Sequence, residues 1–132
     1  MSCARYLGTY HVAARSAGTV KFTANVALGE STAGEGTGIL GNGVALSSVS
    51  VSQGTKPTGA DSLTFGAPAA FTVTTYVDGV AYGANEGFSV LVTLAAAQAA
   101  GTYHMDVLPV LDNSDNDTIP GYCVIKVTAM PT

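Results

Sequence analysis

The feature of this chain that most constrains its fold is a series of three segments near the C-terminus in which residues alternate in polarity. In Phe88–Leu94 every second residue is large and apolar, and the same period continues in Thr102–Leu111 and Tyr122–Ala129. A period of two residues is typical of a β-strand with one buried face. Because Gly-rich or polar turns separate the three segments, they predict consecutive strands of an all-β sandwich.

The first two-thirds of the chain contain further segments of this kind. The additional expected strands are Val20–Leu28, Ala45–Ser52, Ser62–Phe65, Phe71–Val77 and Val80–Tyr82, whereas Tyr6–Ala14 is ambiguous and an extended structure is one interpretation of it. Between the last two lies Asp78-Gly79, a pair that favours a type I′ hairpin turn because both residues tolerate positive φ. No segment keeps a helical period, and Ala95–Ala100 is too short to form a helix alone.

A Gly-rich segment, Gly29–Gly43, interrupts the series of strands and predicts a long loop or linker. The length of the chain, 132 residues, suits one domain. We therefore expect residues 1–43 to form an N-terminal arm or extra strand with its linker, and residues 44–132 to form the sandwich.

The scarcity of charge predicts a protein whose surface is largely covered by other protein. Charged residues make up 11% of the chain, compared with about 25% in typical soluble domains. The five basic residues are scattered, so the chain has no basic stripe for a nucleic-acid backbone. No apolar run approaches the ~18 residues of a membrane-spanning helix. We expect homo-oligomers or a protein partner, with no nucleic acid and no membrane.

The N-terminal residues and the cysteines indicate whether the protein is secreted and whether it contains disulfides. The first 16 residues lack the continuous apolar stretch of a secretory signal. We therefore expect a protein that stays in the cell that makes it or leaves by another route, such as release inside a particle. Cys3 and Cys123 are too few for a disulfide framework and are expected to be free thiols, although the sequence leaves their redox state open.

Two groups of polar residues are candidates for a metal-binding or a catalytic site. The acidic segment Asp112–Asp117 offers oxygen ligands for Ca²⁺, but it lacks the glycine and glutamate of an EF-hand loop. Asp and Asn are also expected in a turn between strands, so we favour a turn and leave calcium open. His104 and Asp106 share one strand face. Since no third residue completes a catalytic triad, we expect a solvated or interfacial pair.

Metal binding and sugar binding find little support elsewhere. The spacing of His11, His104, Cys3 and Cys123 does not resemble a zinc site. Tyr76 and Tyr82 flank the predicted hairpin and could stack on a sugar, but β-strand preference explains both. We predict no catalytic, cofactor-binding or metal-ligating residues and no cofactor. Three apolar residues on outward strand faces, Leu91, Tyr122 and Val124, instead suggest a protein contact.

The sequence Gly101-Thr102-Tyr103, preceded by an Ala-rich connector, resembles the corner before strand F of immunoglobulin-like domains. In that family the tyrosine hydroxyl bonds back to the backbone just upstream, a role that the resemblance assigns to Tyr103. The family's cysteine two residues later is Met105 here, and the chain contains no Trp. The resemblance therefore implies a disulfide-free, immunoglobulin-like antiparallel β-sandwich.

The wider stretch Val44–Ala129 resembles small immunoglobulin-like domains of tailed-phage virion proteins. The motifs that carry this resemblance are LSSVSVSQG, SLTFGAP, YVDGVAYG and YCVIKVTA. It implies a non-enzymatic virion structural protein, in particular a capsid decoration (cement) protein of a bacteriophage. Its expected partners are the major capsid protein and copies of itself, and its expected location is the virion, assembled in the host cytoplasm.

Two other functions stay open at this point. The first is a surface module that binds a host receptor or glycan through the loops Gln53–Asp61 and Asp112–Asp117. The second is a subunit of a tail tube or another filament. An enzyme is not expected, because the chain does not offer a complete set of catalytic roles.

Overall fold

The computed structural model describes residues 5–28, 46–111 and 120–129, and within these ranges the chain is built from β-strands. The strands are β1 (Arg5–Ala14), β2 (Val20–Ala27), β3 (Leu46–Gln53), β4 (Thr64–Phe65), β5 (Ala69–Ala70), β6 (Thr75–Val77), β7 (Val80–Tyr82), β8 (Gly87–Leu94), β9 (Gly101–Leu111) and β10 (Gly121–Ala129). The described residues include no helix that is long and apolar enough to cross a membrane.

The strands form two main sheets and a separate hairpin. The larger sheet has the order β1-β10-β9-β3, and the other has the order β2-β8-β4, with β5 also paired to β8. Strand β1 runs parallel to β10, while the remaining pairs in both sheets are antiparallel. The three consecutive strands expected from the sequence are therefore confirmed, with β8 in one sheet and β9 and β10 in the other. This is the immunoglobulin-like antiparallel β-sandwich that the sequence predicts.

The core lies between the two sheets and is filled by the alternating apolar residues. Its largest fully buried side chains are Tyr103, Phe88, Leu28, Leu94, Met105, Ile125, Val26, Val90, Val92, Val107 and Pro109. Apart from Leu28, which directly follows β2, these residues lie on strands of both sheets, and almost all of them occupy the inward positions that the period of two predicts. Cys123 is also buried in this core and is a free thiol.

The N-terminal segment belongs to the sandwich. Strand β1 pairs with β10 in one sheet, and β2 pairs with β8 in the other. Ala14, Ala24, Val26 and Leu28 are part of the core. The described sandwich therefore does not begin at residue 44 but already includes residues 5–28, which contribute one strand to each sheet. The predicted loop Gly29–Gly43 lies outside the described residues.

Two expected strands are shorter than predicted. In Ser62–Phe65 only Thr64–Phe65 is a strand. The segment Phe71–Val77 was expected to be continuous, but only Thr75–Val77 is a strand. Phe71 is buried and is held at the start of β8, where its N–H donates to Gly87 O at 2.9 Å. The chain then turns away into the β6–β7 hairpin. The Asp78-Gly79 turn is confirmed, with φ of 51° and 81° at its two residues.

Candidate functional site

The corner before β9 is a structural element, and it has the geometry that the resemblance implies. The Tyr103 hydroxyl donates to Ala99 O at 2.7 Å, and it accepts from Gln98 Nε2 at 3.0 Å. Tyr103 is completely buried. Its hydroxyl is thus occupied in fixing the connector to β9, which leaves it no role as a ligand.

Three rings form a row on the outward face of the larger sheet. We call the outward residues of β1, β10, β9 and β3 the outer face. On it, the ring of His104 stacks on Tyr122 with a centroid distance of 4.9 Å, and Tyr6 packs against the other side of Tyr122 at 5.8 Å. The rings belong to three adjacent strands, β9, β10 and β1. Tyr6 is 57% exposed at the end of this row.

The position of Tyr6 depends on a bulge in β1. The pairing of β1 with β10 shifts between Tyr6 and Thr9, so the residues before and after the bulge do not follow one continuous alternation. Tyr6 lies opposite Tyr122, and Thr9 lies opposite Val124. Sequence reasoning missed Tyr6 because a bulge interrupts the period and because β1 pairs with a strand more than a hundred residues away.

The outer face also contains the two outward residues of β10 that the sequence singled out. Tyr122 and Val124 are half-buried, because β1 and β9 flank them on both sides. Leu108 of β9 is 42% exposed on the same face. Beside it lies a depression of about 310 Å³ lined by Ser50, Ser52, Asp106, Val107, Leu108, Pro120 and Gly121. The face thus combines a patch of apolar and aromatic side chains with polar and charged ones, among them Ser50, Ser52, Asp106 and Lys126.

His104 and Asp106 share the outer face as predicted, but their surroundings are not those of a catalytic pair. The His104 ring is stacked on Tyr122. Asp106 lies opposite Tyr122 on one side and Ser52 on the other. Its carboxylate lies so close to Gly54 that a Cβ there would be 2.3 Å from Asp106 Oδ1. The pair therefore belongs to the packing of this face.

The residues considered for metal binding do not come together. His11 is exposed on β1, whereas Cys123 points into the core from β10. Burial raises the pKa of the Cys123 thiol to about 12, so the thiolate that a metal requires is strongly disfavoured. The described part of the chain contains no group of three His, Cys, Asp or Glu residues able to hold a metal ion. Cys3 and Asp112–Asp117 lie outside the described residues.

The two tyrosines near the hairpin face different surroundings. Tyr82 is buried, whereas Tyr76 is 67% exposed. In the hairpin Tyr82 pairs with Thr75, and Tyr76 pairs with Ala81. Neighbouring residues of a strand point to opposite faces, so Tyr76 and Tyr82 lie on opposite faces of the hairpin. They cannot enclose one sugar ring between them.

The loop Gln53–Asp61, considered for host binding, is tied to β9. Gln53 Nε2 donates to His104 O at 3.1 Å, and Gln53 Oε1 accepts from Leu63 N at 2.8 Å. His104 N donates to Thr55 O at 2.7 Å. Lys56 Nζ donates to Ala60 O, which closes the loop on itself. The lysine and several backbone groups of the loop are therefore already engaged.

Comparison with known proteins adds little to this description. No protein-family model matches the chain, and no curated protein matches it. Among solved structures, it is similar to a family 123 glycoside hydrolase from Clostridium perfringens, studied for the hydrolysis of glycolipid glycans. The TM-score is 0.42 at 9% identity, and the match covers 92% of this chain and 23% of that one. A likeness this distant transfers no activity to this chain.

Proposed function

We propose that this protein is a non-enzymatic structural component of a virus particle, in particular a decoration protein that stabilises a phage capsid. The observation that carries the proposal is the outer face, on which Tyr6, Tyr122 and Val124 form an apolar and aromatic surface. Such a surface on a chain with few charges is suited to packing against protein. The resemblance to phage virion domains supplies the particular class of assembly.

The proposed mechanism is burial of the outer face. Covering exposed aromatic and apolar area removes it from water, which favours the contact. Aromatic residues such as Tyr6 are favoured at contacts because they offer large area with few rotatable bonds. Repeated over many copies, this contribution would raise the free energy needed to separate the subunits of a shell.

The proposal is tested on particles that lack the protein. We expect such particles to break open at a lower temperature and the added protein to restore their stability, as measured by release of the packaged genome on heating. Tyr6→Asp places a charge on the outer face and is expected to abolish the restoration. Val73→Asp is the matched control and is expected to restore the stability fully, because Val73 is 68% exposed between β5 and β6 and does not belong to the outer face.

Two results would contradict the proposal. One is the absence of the protein from purified particles by mass spectrometry. The other is equal restoration by Tyr6→Asp and by the unaltered chain, because the outer face would then not be the contact.

A second candidate function, a host- or glycan-binding surface module, is favoured by one observation. Tyr76 is exposed on the β6–β7 hairpin and offers its ring to a ligand. Binding to a glycan array that is lost in Tyr76→Ala, with the fold retained, would favour this function over capsid decoration.

A further inference from the structure

Among the residues that the structure describes, three of the four sheet edges carry features that disfavour pairing with another chain. Unpaired strand edges invite such pairing, and natural proteins protect them with charge, bulges or short strands. Strand β1 is broken by its bulge and begins at Arg5. Strand β2 carries Lys21, and β4 and β5 are two residues long each.

The fourth edge, β3, carries little protection of this kind. Its sequence, LSSVSVSQ, contains neither charge nor proline over eight residues. Its irregularity is confined to the start, between Leu46 and Ser48. Within the described residues, the backbone pairing of β3 is to β9 alone.

The register of β3 with β9 shows which backbone groups point away from β9. Val49 lies opposite Pro109, which has no N–H, so Val49 and Pro109 form a non-hydrogen-bonded pair. The two kinds of pair alternate along an antiparallel ladder, so the pairs on either side, Ser48 with Val110 and Ser50 with Leu108, are hydrogen-bonded. In the same register Gly54 N donates to His104 O at 2.9 Å. The N–H and C=O groups of Val49 and Val51 therefore point to the open edge.

The same segment is complementary to itself. When two antiparallel copies are aligned with Ser50 opposite Ser50, Val49 lies opposite Val51 and Ser48 lies opposite Ser52. Each valine pair then exchanges both of its outward backbone hydrogen bonds, while Ser50 forms the non-hydrogen-bonded pair on the two-fold axis. This alignment places no two like charges opposite each other, because β3 has no charged residue. Directly opposite residues lie on the same side of the sheet, so valine side chains pair with valine and serine with serine.

We propose that β3 pairs with β3 of a second copy of this chain in this register and joins the two larger sheets into one. The proposal rests on the proposed function and names the contact between copies. Val49 and Val51 are only half-buried in the single chain, and the pairing would cover them further on the core side. Ser50 and Ser52 border the depression on the outer face, which leaves that side of the edge accessible.

The register is tested by cross-linking. The Cα atoms of a non-hydrogen-bonded antiparallel pair are about 4.5 Å apart, which is within the range for a disulfide. In a Cys3→Ser background, Ser50→Cys is expected to form a disulfide-linked dimer under mild oxidation. Ser48→Cys is the matched control, because it lies opposite Ser52 and about 13 Å along the strand from its own copy.

The association itself is tested by sedimentation across a range of concentrations. The unaltered chain is expected to form dimers, and Val51→Pro to lose them, because proline removes an N–H that β9 does not use. Ser50→Lys, on an exposed position, is expected to lose them through charge repulsion across the two-fold axis. Thr23→Lys, which adds the same charge to the outward face of β2, is expected to keep them.

The outcomes separate this proposal from the proposed function. A chain that stays monomeric, or Ser48→Cys and Ser50→Cys variants that cross-link equally, overturns the β3 pairing. A monomer that is still recovered on particles leaves the proposed function standing. Loss of the dimer in Thr23→Lys but not in Ser50→Lys would place the contact at β2 and also overturn the proposal.

Discussion

The buried side chain of Gln98 joins three parts of the chain near the corner before β9. Its Oε1 accepts from Ala95 N at 3.0 Å, and its Nε2 donates to Asp61 O at 2.8 Å and to the Tyr103 hydroxyl at 3.0 Å. The Tyr103 hydroxyl in turn donates to Ala99 O. Because the side chains of Gln98 and Tyr103 are buried, their polar atoms depend on these partners within the protein.

Tyr103→Phe is expected to destabilise the fold by about 1–3 kcal/mol, because it removes the bond to Ala99 O and one acceptor of Gln98 Nε2. Urea unfolding followed by circular dichroism measures this change. Tyr76→Phe is the control and is expected to change the free energy of unfolding by less than about 0.5 kcal/mol, since Tyr76 is exposed. Equal effects of the two substitutions would contradict a structural role for the Tyr103 hydroxyl.

Cys123 predicts a dependence of stability on alkaline pH. Burial raises the pKa of its thiol from the ordinary value of 9.0 to about 12. Between these values the unfolded chain has released a proton that the folded chain keeps. The free energy of unfolding therefore falls as pH rises above 9, and it does not depend on this group below that range.

Cys123→Ala is expected to make this fall shallower, by at most about 1.4 kcal/mol per pH unit. The measurement compares urea midpoints between pH 8 and pH 11. Burial also raises the pKa of Tyr10, whose hydroxyl donates to Asn25 O at 2.6 Å. Tyr10→Phe should therefore also reduce the fall of the free energy of unfolding with pH. If the unaltered chain, Cys123→Ala and Tyr10→Phe all lose stability equally with rising pH, neither Cys123 nor Tyr10 causes the fall.

At the scale of the element, the β6–β7 hairpin shows how local sequence sets a local structure. Asp78 and Gly79 both have positive φ, and the hairpin pairs Val77 with Val80. The turn residues were recognisable in the sequence because few residue types accept this backbone. The residue at which β6 begins was not recognisable in the sequence, since it depends on the burial of Phe71 beside β8.

Gly79→Ala is expected to cost roughly 1–2 kcal/mol, because a Cβ is strained in the left-handed conformation. Gly83→Ala is the control, since Gly83 lies after β7 without positive φ and a Cβ there meets nothing within 4 Å. Thermal unfolding should separate the two variants. Similar melting temperatures would show that the turn does not constrain the hairpin.

At the scale of the whole molecule, the two N-terminal strands complete the sandwich. Strand β2 pairs with β8 along its length, and β1 covers the edge of β10. Within the described part of the chain, removing them would leave β8 paired with the short β4 and β5 alone and would expose core residues such as Phe88 and Val92. Small domains do not tolerate such a loss of buried area.

A fragment of residues 44–132 is therefore expected to be unfolded, with little dispersion in its NMR spectrum. Adding a separate peptide of residues 1–43 is expected to restore the fold, because the missing strands pair through backbone hydrogen bonds. A fragment 44–132 that unfolds cooperatively by itself would show that the N-terminal strands are dispensable.

Three features could be predicted from the sequence alone, namely the class of fold, the inward and outward faces of β8, β9 and β10, and the Asp78-Gly79 turn. These features depend on the period of two and on local backbone preference, which are properties of neighbouring residues. The bond from Tyr103 to the Ala-rich connector was implied by the resemblance to the corner of immunoglobulin-like domains, and its two ends lie four residues apart.

Only the tertiary structure decided which strands share a sheet and what surface they present together. The parallel pairing of β1 with β10 brings Tyr6 beside Tyr122, although the two residues are far apart in the chain. The bulge in β1 sets which of its residues face outward, and β3 forms an edge of the larger sheet among the described residues, so the backbone groups of Val49 and Val51 point away from β9. Non-local pairing produces these features, so the period of a single strand cannot predict them.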